Sequence, residues 1–178
     1  MLIPILIILG AILILFIVIV AMQPAAFRIE RSTTIAAPPA VVFPFVNDFH
    51  NWIAWSPWEK IDSTMTKTFD GPASGTGAKY SWSGNKKVGE GRMTILESRA
   101  NEIIRIKLEF LKPFVATNTA EFTFVPEGTQ TRIVWAMTGQ NNFMMKGFNL
   151  LMNMDKLVGG DFEKGLASMK AAVEGVNA

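Results

Sequence analysis

The stretch that decides the fold is EIIRIKLEF (102–110), followed by NTAEFTFVPEG (118–128) and TQTRIVWAMTG (129–139). Successive side chains of an extended chain point to opposite faces, so in the first run Ile104, Ile106, Leu108 and Phe110 fall on one side and Arg105, Lys107 and Glu109 on the other. In the second run Phe122 and Phe124 oppose Glu121 and Thr123. In the third, Ile133, Trp135 and Met137 oppose Arg132, Val134 and Ala136. Three consecutive strands with one bulky apolar face and one polar face build an antiparallel sheet that is wet on one side and needs a cover on the other.

Working outward, FRIERSTTI (27–35) alternates Phe27, Ile29 and Ile35 with polar residues and reads as a further half-buried strand. Pro38 and Pro39 end it, and AVVFPFVND (40–48) suits a short helix that stops at Asn47-Asp48. TMTKTFDG (64–71), AKYSWSG (78–84) and GEGRMTILES (89–98) complete about seven antiparallel strands, with hairpin tips expected at Gly84-Asn85, Asn101 and Glu127-Gly128. The cover is expected at the C-terminal end. In DFEKGLASMKAAVEGV (161–176), Phe162, Leu166, Met169 and Val173 recur at the spacing of one helix face, with Asp161 as N-cap after the breaker Gly159-Gly160. NNFMMKGFNLLMNMDKLV (141–158) is dense in Met and Phe, residues that make either an adaptable binding wall or ordinary packing.

The chain has 178 residues, 49% of them hydrophobic and 18% charged, which suits one domain plus a small apolar addition. The addition is LIPILIILGAILILFIVIVAM (2–22), free of charge; at 1.5 Å per residue it makes roughly 31 Å of helix, against about 30 Å for a bilayer's hydrocarbon core. It is expected to be a transmembrane anchor. A cleaved signal peptide is the rival, but no Lys or Arg precedes Arg28, the apolar run is long, and Ala21-Met22-Gln23 is a poor cleavage site. A buried core helix would keep a polar face. The division expected is therefore an anchor over 1–23 and one domain over 24–178, joined without a flexible linker. The chain is expected to be a single-pass protein of the cell membrane, and Arg28 and Arg31 just beyond the apolar run favour a cytoplasmic C-terminal part. A net charge of +2, with no basic stripe interleaved with aromatics, gives no reason to expect nucleic acid as a partner.

The order of strand, short helices, curved sheet and closing helix is that of the helix-grip fold, an α+β architecture. The stretches RSTTIAAPPAVVFPFVNDFHNWIAWSPW, FDGPASGTGAKYSWSGNKKVGEGRMTI and MDKLVGGDFEKGLASMK resemble membrane-anchored bacterial members of the SRPBCC (START-like) superfamily, in its polyketide cyclase/dehydrase and lipid-transport group. The resemblance covers about residues 27–175 and implies a cavity between the concave face of the sheet and the C-terminal helix.

Candidate ligand-binding residues follow from parity and from that implied cavity. Trp55 and Trp58 flank Pro57, which disfavours a continued helix, so they belong on a turn at the wall or mouth of the cavity; the competing reading is that they and Trp52 plug the end of the sheet. Tyr80, Trp82 and Trp135 lie on inward faces and bring a polar handle into an apolar space. Met93, Phe110, Phe122 and Met137 from the sheet, and Phe162, Leu166 and Met169 from the helix, complete the expected wall. Asn118 shares parity with Phe122 and Phe124 and is either an inward amide or a strand-end residue facing water.

Catalytic constellations are sparse. One histidine, His50, and no cysteine leave no thiolate chemistry and no multi-histidine metal site, and no cofactor or metal is expected. The glycine-rich FDGPASGTGAKY and GNKKVGEG lack the phosphate-loop spacing and suit turns in a curved sheet. Glu90, between Gly89 and Gly91, is the one weak catalytic candidate: turned into an apolar pocket its pKa would rise, although alternation with Met93 points it outward. The sequence therefore supports membrane-tethered binding of a small hydrophobic molecule such as a lipid, an isoprenoid or a polyketide-like compound. The alternatives are a cyclase/dehydrase-like enzyme acting mainly by positioning its substrate, and a protein-interaction or stress-response module with a vestigial pocket. Sequence assigns no oligomeric state.

Overall fold

The structure, a computed structural model, describes residues 2–62 and 64–176. Met1 and residues 177–178, the outer ends of the two expected segments, lie outside them. Helix α1 spans Leu2–Met22 and leads through residues 23–25 into strand β1, Ala26–Ile35. Two short helices follow, α2 (Pro39–Val42) and α3 (Pro44–Asn47), each opened by a proline whose missing N–H is harmless in the first turn. Two 3₁₀ turns, Phe49–Ala54 and Pro57–Lys60, carry the tryptophan cluster. Strands β2 (Thr66–Asp70), β3 (Lys79–Ser83), β4 (Glu90–Arg99), β5 (Ile103–Lys112), β6 (Ala116–Glu127) and β7 (Gln130–Gln140) then run without interruption, before helices α4 (Phe143–Leu151) and α5 (Met154–Val176).

The seven strands form one antiparallel sheet in the order β1-β7-β6-β5-β4-β3-β2. Each step from β2 to β7 is a hairpin, and β1 closes beside β7, as expected for the curved α+β helix-grip arrangement. The tips expected at Asn101 and Gly128 take φ of 63° and 64°, the left-handed conformation that a tight hairpin needs and that Asn and Gly tolerate best. Register brings Phe122 opposite both Ile104 and Trp135. These side chains, with Ile106, Phe124 and Ile133, are buried on the concave face, while Arg92 with Glu109 and Arg105 with Glu97 and Glu121 make ion pairs on the outer face.

Helix α5 covers that concave face with Phe162, Leu166, Met169 and Val173, all 2% exposed or less, as the spacing predicts. Its start differs from expectation. The helix runs straight through Gly159-Gly160 from Met154, and Asp161, expected as its N-cap, sits inside it and pairs with Lys164 at 3.0 Å. The cap is Asn153, whose Oδ1 accepts from Lys156 N at 2.9 Å. The glycines are explained by packing: a Cβ on Gly159 would collide with the Arg31 guanidinium, so the missing side chain lets β1 and α5 approach. Gly165 likewise lets α5 lie against Trp135 and Pro57.

Arg31 shares parity with Ile29 and Ile35, so it points at the helix rather than at water. Its Nε donates to Glu163 Oε1 at 2.7 Å and its Nη2 to Asp155 Oδ2 at 3.0 Å, and these two carboxylates hold the guanidinium firmly protonated. Farther along, Lys170 Nζ donates to Thr34 O at 2.7 Å and Ala36 N to Glu174 Oε1 at 2.8 Å. Helix α5 is thus pinned to β1 by charge-assisted bonds at both ends and by apolar packing between them.

Helix α1 is exposed along nearly its whole length, and its last turns pack against α4. There Val20 is buried, packed near Gly147 of α4, and Lys146 Nζ donates to Ala21 O at 3.4 Å. By length and composition it is able to cross a membrane.

Candidate functional site

The tryptophan cluster fixes where the interior is solid. Trp52 Nε1 donates to Val46 O at 3.1 Å and Trp55 Nε1 to Phe45 O at 2.8 Å, anchoring the first 3₁₀ turn to α3. Each buried indole N–H thus has a partner that its neighbouring helix supplies. Trp55 then meets Phe122 and Trp135 edge-on at 6.0 and 5.5 Å, and Trp135 stacks on Phe162 at 4.0 Å with 7° between the planes. Trp58 closes the group against Trp135 and Phe162. The three indoles of NWIAWSPWEK pack in or against the core. Beneath the middle of α5, sheet and helix interlock.

The large hollow lies elsewhere, as a cleft of about 870 Å³ at one end of the sheet. Its walls are the start of β1 (Phe27, Ile29), the facing ends of β5 and β6 with their connecting loop (Phe110, Pro113, Phe114, Val115, Ala116, Asn118), and the end of β7 (Met137, Gln140). The lid is α4 with the first turns of α5, through Met144, Met145, Asn149, Leu150, Leu151, Met154 and Val158. The volume falls within the range of about 300–1,000 Å³ usual for small-molecule sites, and the lining is mainly apolar. This is the end of the sheet at which α1 joins β1.

The expected ligand-binding residues therefore separate. Phe110, Asn118 and Met137 line the cleft. Trp55, Phe122, Trp135, Phe162, Leu166 and Met169 lie in the packed core, as does Met93, and Trp58 packs against it. Tyr80 is buried on the far side of Phe49, its hydroxyl donating to Glu59 Oε1 at 2.8 Å, with Lys67 paired to the same carboxylate. Burial first, and then the Glu59 carboxylate, push the Tyr80 phenol well above its ordinary range. Trp82 donates to Val88 O at 3.3 Å and fills the space left by Gly91, whose Cβ would collide with the indole. The glycines around Glu90 thus make no pocket for it. Glu90 pairs with Lys112 at 2.8 Å on the outer face, and that bond holds its carboxyl below the ordinary range rather than above it. His50 stacks on Phe69 at 4.1 Å and bonds Asp48, exposed at the start of the 3₁₀ turn. Trp135 Nε1 is buried with no hydrogen-bond partner among the described residues.

Asn118 is the inward amide of its two readings. It faces Gly139 across the β6–β7 ladder, and a Cβ on Gly139 would collide with both its Oδ1 and the Phe27 ring. Gly139 therefore lets an amide and an aromatic ring share one end of the cleft. The nearest partner for the Asn118 amide N–H is the Met137 sulfur at 3.8 Å, a weak contact. The charged side chains in the lining are engaged at the surface: Arg28 with Glu30, Lys112 with Glu90, and Asp155 with Arg31, which depresses the Asp155 pKa. What remains for a guest is apolar surface with the amides of Asn118, Gln140, Asn141 and Asn149 at its edge. Such a lining can solvate a hydrocarbon body and hydrogen-bond a hydroxyl or carbonyl. No group of three or more His, Cys, Asp or Glu able to hold a metal occurs among the described residues.

The Met- and Phe-rich stretch 141–158, read from sequence as either a binding wall or ordinary packing, supplies the lid of the cleft, whereas the roles of Arg31 beneath α5 and of Gly139 beside Asn118 were not singled out. Arg31 was legible from its parity with Ile29 and Ile35. The cleft was not, because parity tells which face a side chain takes and not what covers it.

The sequence profile of the family described as polyketide cyclase/dehydrase and lipid transport matches residues 26–174. The chain belongs to that family. Solved structures of the same fold include protein CV1439 from Chromobacterium violaceum, at 16% identity and a TM-score of 0.59 over 85% of this chain and 99% of that one. SA2116 from Staphylococcus aureus aligns at 11% identity and a TM-score of 0.64, covering 87% and 98%. TTHA0849 from Thermus thermophilus aligns at 17% and 0.61, covering 85% and 100%. At these identities the likeness is one of fold alone. No curated protein matches the chain. That description points to a hydrophobic-ligand-binding fold, and in this chain the cleft described above lies between β1, β5–β7 and α4.

Proposed function

We propose that this protein is a membrane-tethered carrier or receptor for a small hydrophobic molecule with one polar end, such as a lipid, an isoprenoid or a polyketide-like compound. The observation that carries the proposal is the position and lining of the 870 Å³ cleft: mainly apolar, edged by neutral amides, and placed at the end of the sheet that α1 enters. A guest would lie with its apolar body against Phe27, Phe110, Met137, Met145 and Val158. Its hydroxyl or carbonyl would meet the Asn118 amide. The lining offers hydrogen bonds and little proton transfer, since its one carboxylate, Asp155, is committed to Arg31; this favours binding over the cyclase/dehydrase-like reading. In the same proposal, residues 1–23 anchor the chain by a single span and residues 24–178 form the binding domain. The reading that this domain lies on the cytoplasmic side is supported by Arg28 and Arg31 just beyond the span. A reporter fused after Ala178 reads the sidedness.

The test is to purify the full chain from its native host in lipid nanodiscs and extract it with organic solvent for mass spectrometry. The expected result is one apolar compound retained in near-stoichiometric amount and absent from empty nanodiscs. Extracts indistinguishable from empty nanodiscs would refute the proposal.

A further inference from the structure

The exposed apolar surface is concentrated at one end of the molecule. Outside α1, fourteen large apolar side chains are exposed among the described residues, and ten of them fall within 111–115 and 143–157. On α4, Met144, Phe148 and Leu151 follow one another at the i, i+4, i+7 spacing of a single face, and all three are exposed. Beside them in the fold, the β5–β6 loop exposes Phe114 and Val115, and both elements border the same cleft. A contiguous patch of this kind on a water-soluble surface marks an interaction site.

The position of α1 identifies the partner. A helix of 21 residues is roughly 31 Å long, about the thickness of the hydrocarbon core, so when α1 spans the bilayer its last turn lies at the boundary between acyl chains and headgroups. That last turn is where α4 packs, through Val20 and Gly147 and through Lys146 at Ala21 O. Helix α4 is therefore held at the level of the membrane surface. An amphipathic helix at that depth buries its apolar face among acyl chains and keeps its lysines at the headgroups. Lys146 on α4 and Lys156 on the first turn of α5 make no ion pair with a carboxylate among the described residues, which suits contact with anionic headgroups.

We infer that α4 and the β5–β6 loop are a docking surface for the lipid bilayer that holds α1, with Phe114, Phe148 and Leu151 inserted at the boundary and the mouth of the cleft facing the lipid. This rests on the reading of α1 as an anchor and is independent of which compound the cleft holds. The chain has no cysteine, so single labels can be placed cleanly in the full-length protein. Leu13→Cys, Phe114→Cys, Phe148→Cys and Thr129→Cys variants, each carrying one environment-sensitive fluorophore, are reconstituted into phosphatidylcholine nanodiscs containing doxyl-labelled phosphatidylcholine. Thr129 serves as the distant control because roughly 27 Å of β7 separates its hairpin from Met137, where that strand reaches the cleft. The expected result is loss of emission at 114 and 148 with shallow doxyl groups, loss at 13 with deep ones, and none at 129. Quenching at 13 with positions 114 and 148 as bright as 129 would overturn the docking surface while leaving the anchor standing. Absence of quenching at 13 as well would remove the anchor, and the docking surface with it. Ligand retention, read separately on the unlabelled protein, decides the proposed function and is not moved by either outcome.

Discussion

Replacing Phe162 by Ala tests whether the interface beneath the middle of α5 is solid. The ring is 2% exposed and stacked face to face on Trp135 at 4.0 Å, with Trp58 edge-on at 6.4 Å. Burying a phenylalanine side chain contributes about 1.5–3 kcal/mol, and aromatic contacts of this geometry add about 0.5–1.5 kcal/mol. The hole left behind brings Phe→Ala changes in rigid cores to about 3–5 kcal/mol. For a protein of this size each kcal/mol lowers the midpoint by about 2–4 °C, so a fall on the order of 10 °C is expected. Thermal unfolding of the full chain in one detergent, followed by near-ultraviolet circular dichroism from the stacked tryptophan, reads both the midpoint and the lost stack. Phe148→Ala, on the exposed face of α4, is the control and shifts stability by no more than about 0.5 kcal/mol. Below the transition, Phe162→Ala keeps its ligand, because the cleft does not touch residue 162. A loss under about 1 kcal/mol would mean that sheet and helix do not interlock there, and the separation of core from cleft would be refuted.

Other outcomes follow from particular contacts. Trp55→Phe strands the Phe45 carbonyl and is expected to cost about 1–3 kcal/mol beyond the lost area, whereas Trp135→Phe removes an unpartnered buried N–H and is expected to be milder; equal costs in parallel urea melts would contradict this. Gly160→Ala adds a methyl where nothing lies within 4 Å, inside α5, and should raise stability by up to about 1 kcal/mol, while Gly159→Ala is expected to lower it, because its methyl displaces the Arg31 guanidinium from Asp155 and Glu163. Glu109, bonded by Arg92 and Lys107, has its carboxyl held down to about 2. A depressed carboxylate contributes stability above its unfolded pKa and loses it as pH falls through the folded value. The stability difference between wild type and Glu109→Gln should therefore be constant above about pH 5 and shrink between about pH 4.5 and 2. A difference unchanged across that window would show that the ion pairs are not formed.

The strands were legible because alternation is a local code: the parity of Ile104, Phe122, Ile133 and Trp135 settles which face is buried without knowledge of anything distant. The face of α5 was legible for the same reason, through Phe162, Leu166, Met169 and Val173. The beginning of α5 was not, since Gly159-Gly160 is a helix breaker by propensity and becomes a packing device only once Arg31 is brought over it. Nor was the place of the hollow. Asn118 and Phe122 lie on one face of one strand, four residues apart, yet Phe122 meets Trp55 and Trp135 while Asn118 opens onto a cleft. That difference is made by the 3₁₀ turn of residues 49–54 at one level and by α4 at the other, and strand periodicity carries no record of either.

The most direct measurement is native mass spectrometry of the full chain beside its Ala116→Trp variant, in which an indole is built into the cleft between β5 and α4. The wild type is predicted to carry one apolar molecule and Ala116→Trp to carry none while keeping the wild-type circular dichroism of the folded state. A variant that keeps the same molecule in full would contradict the placement of the binding site.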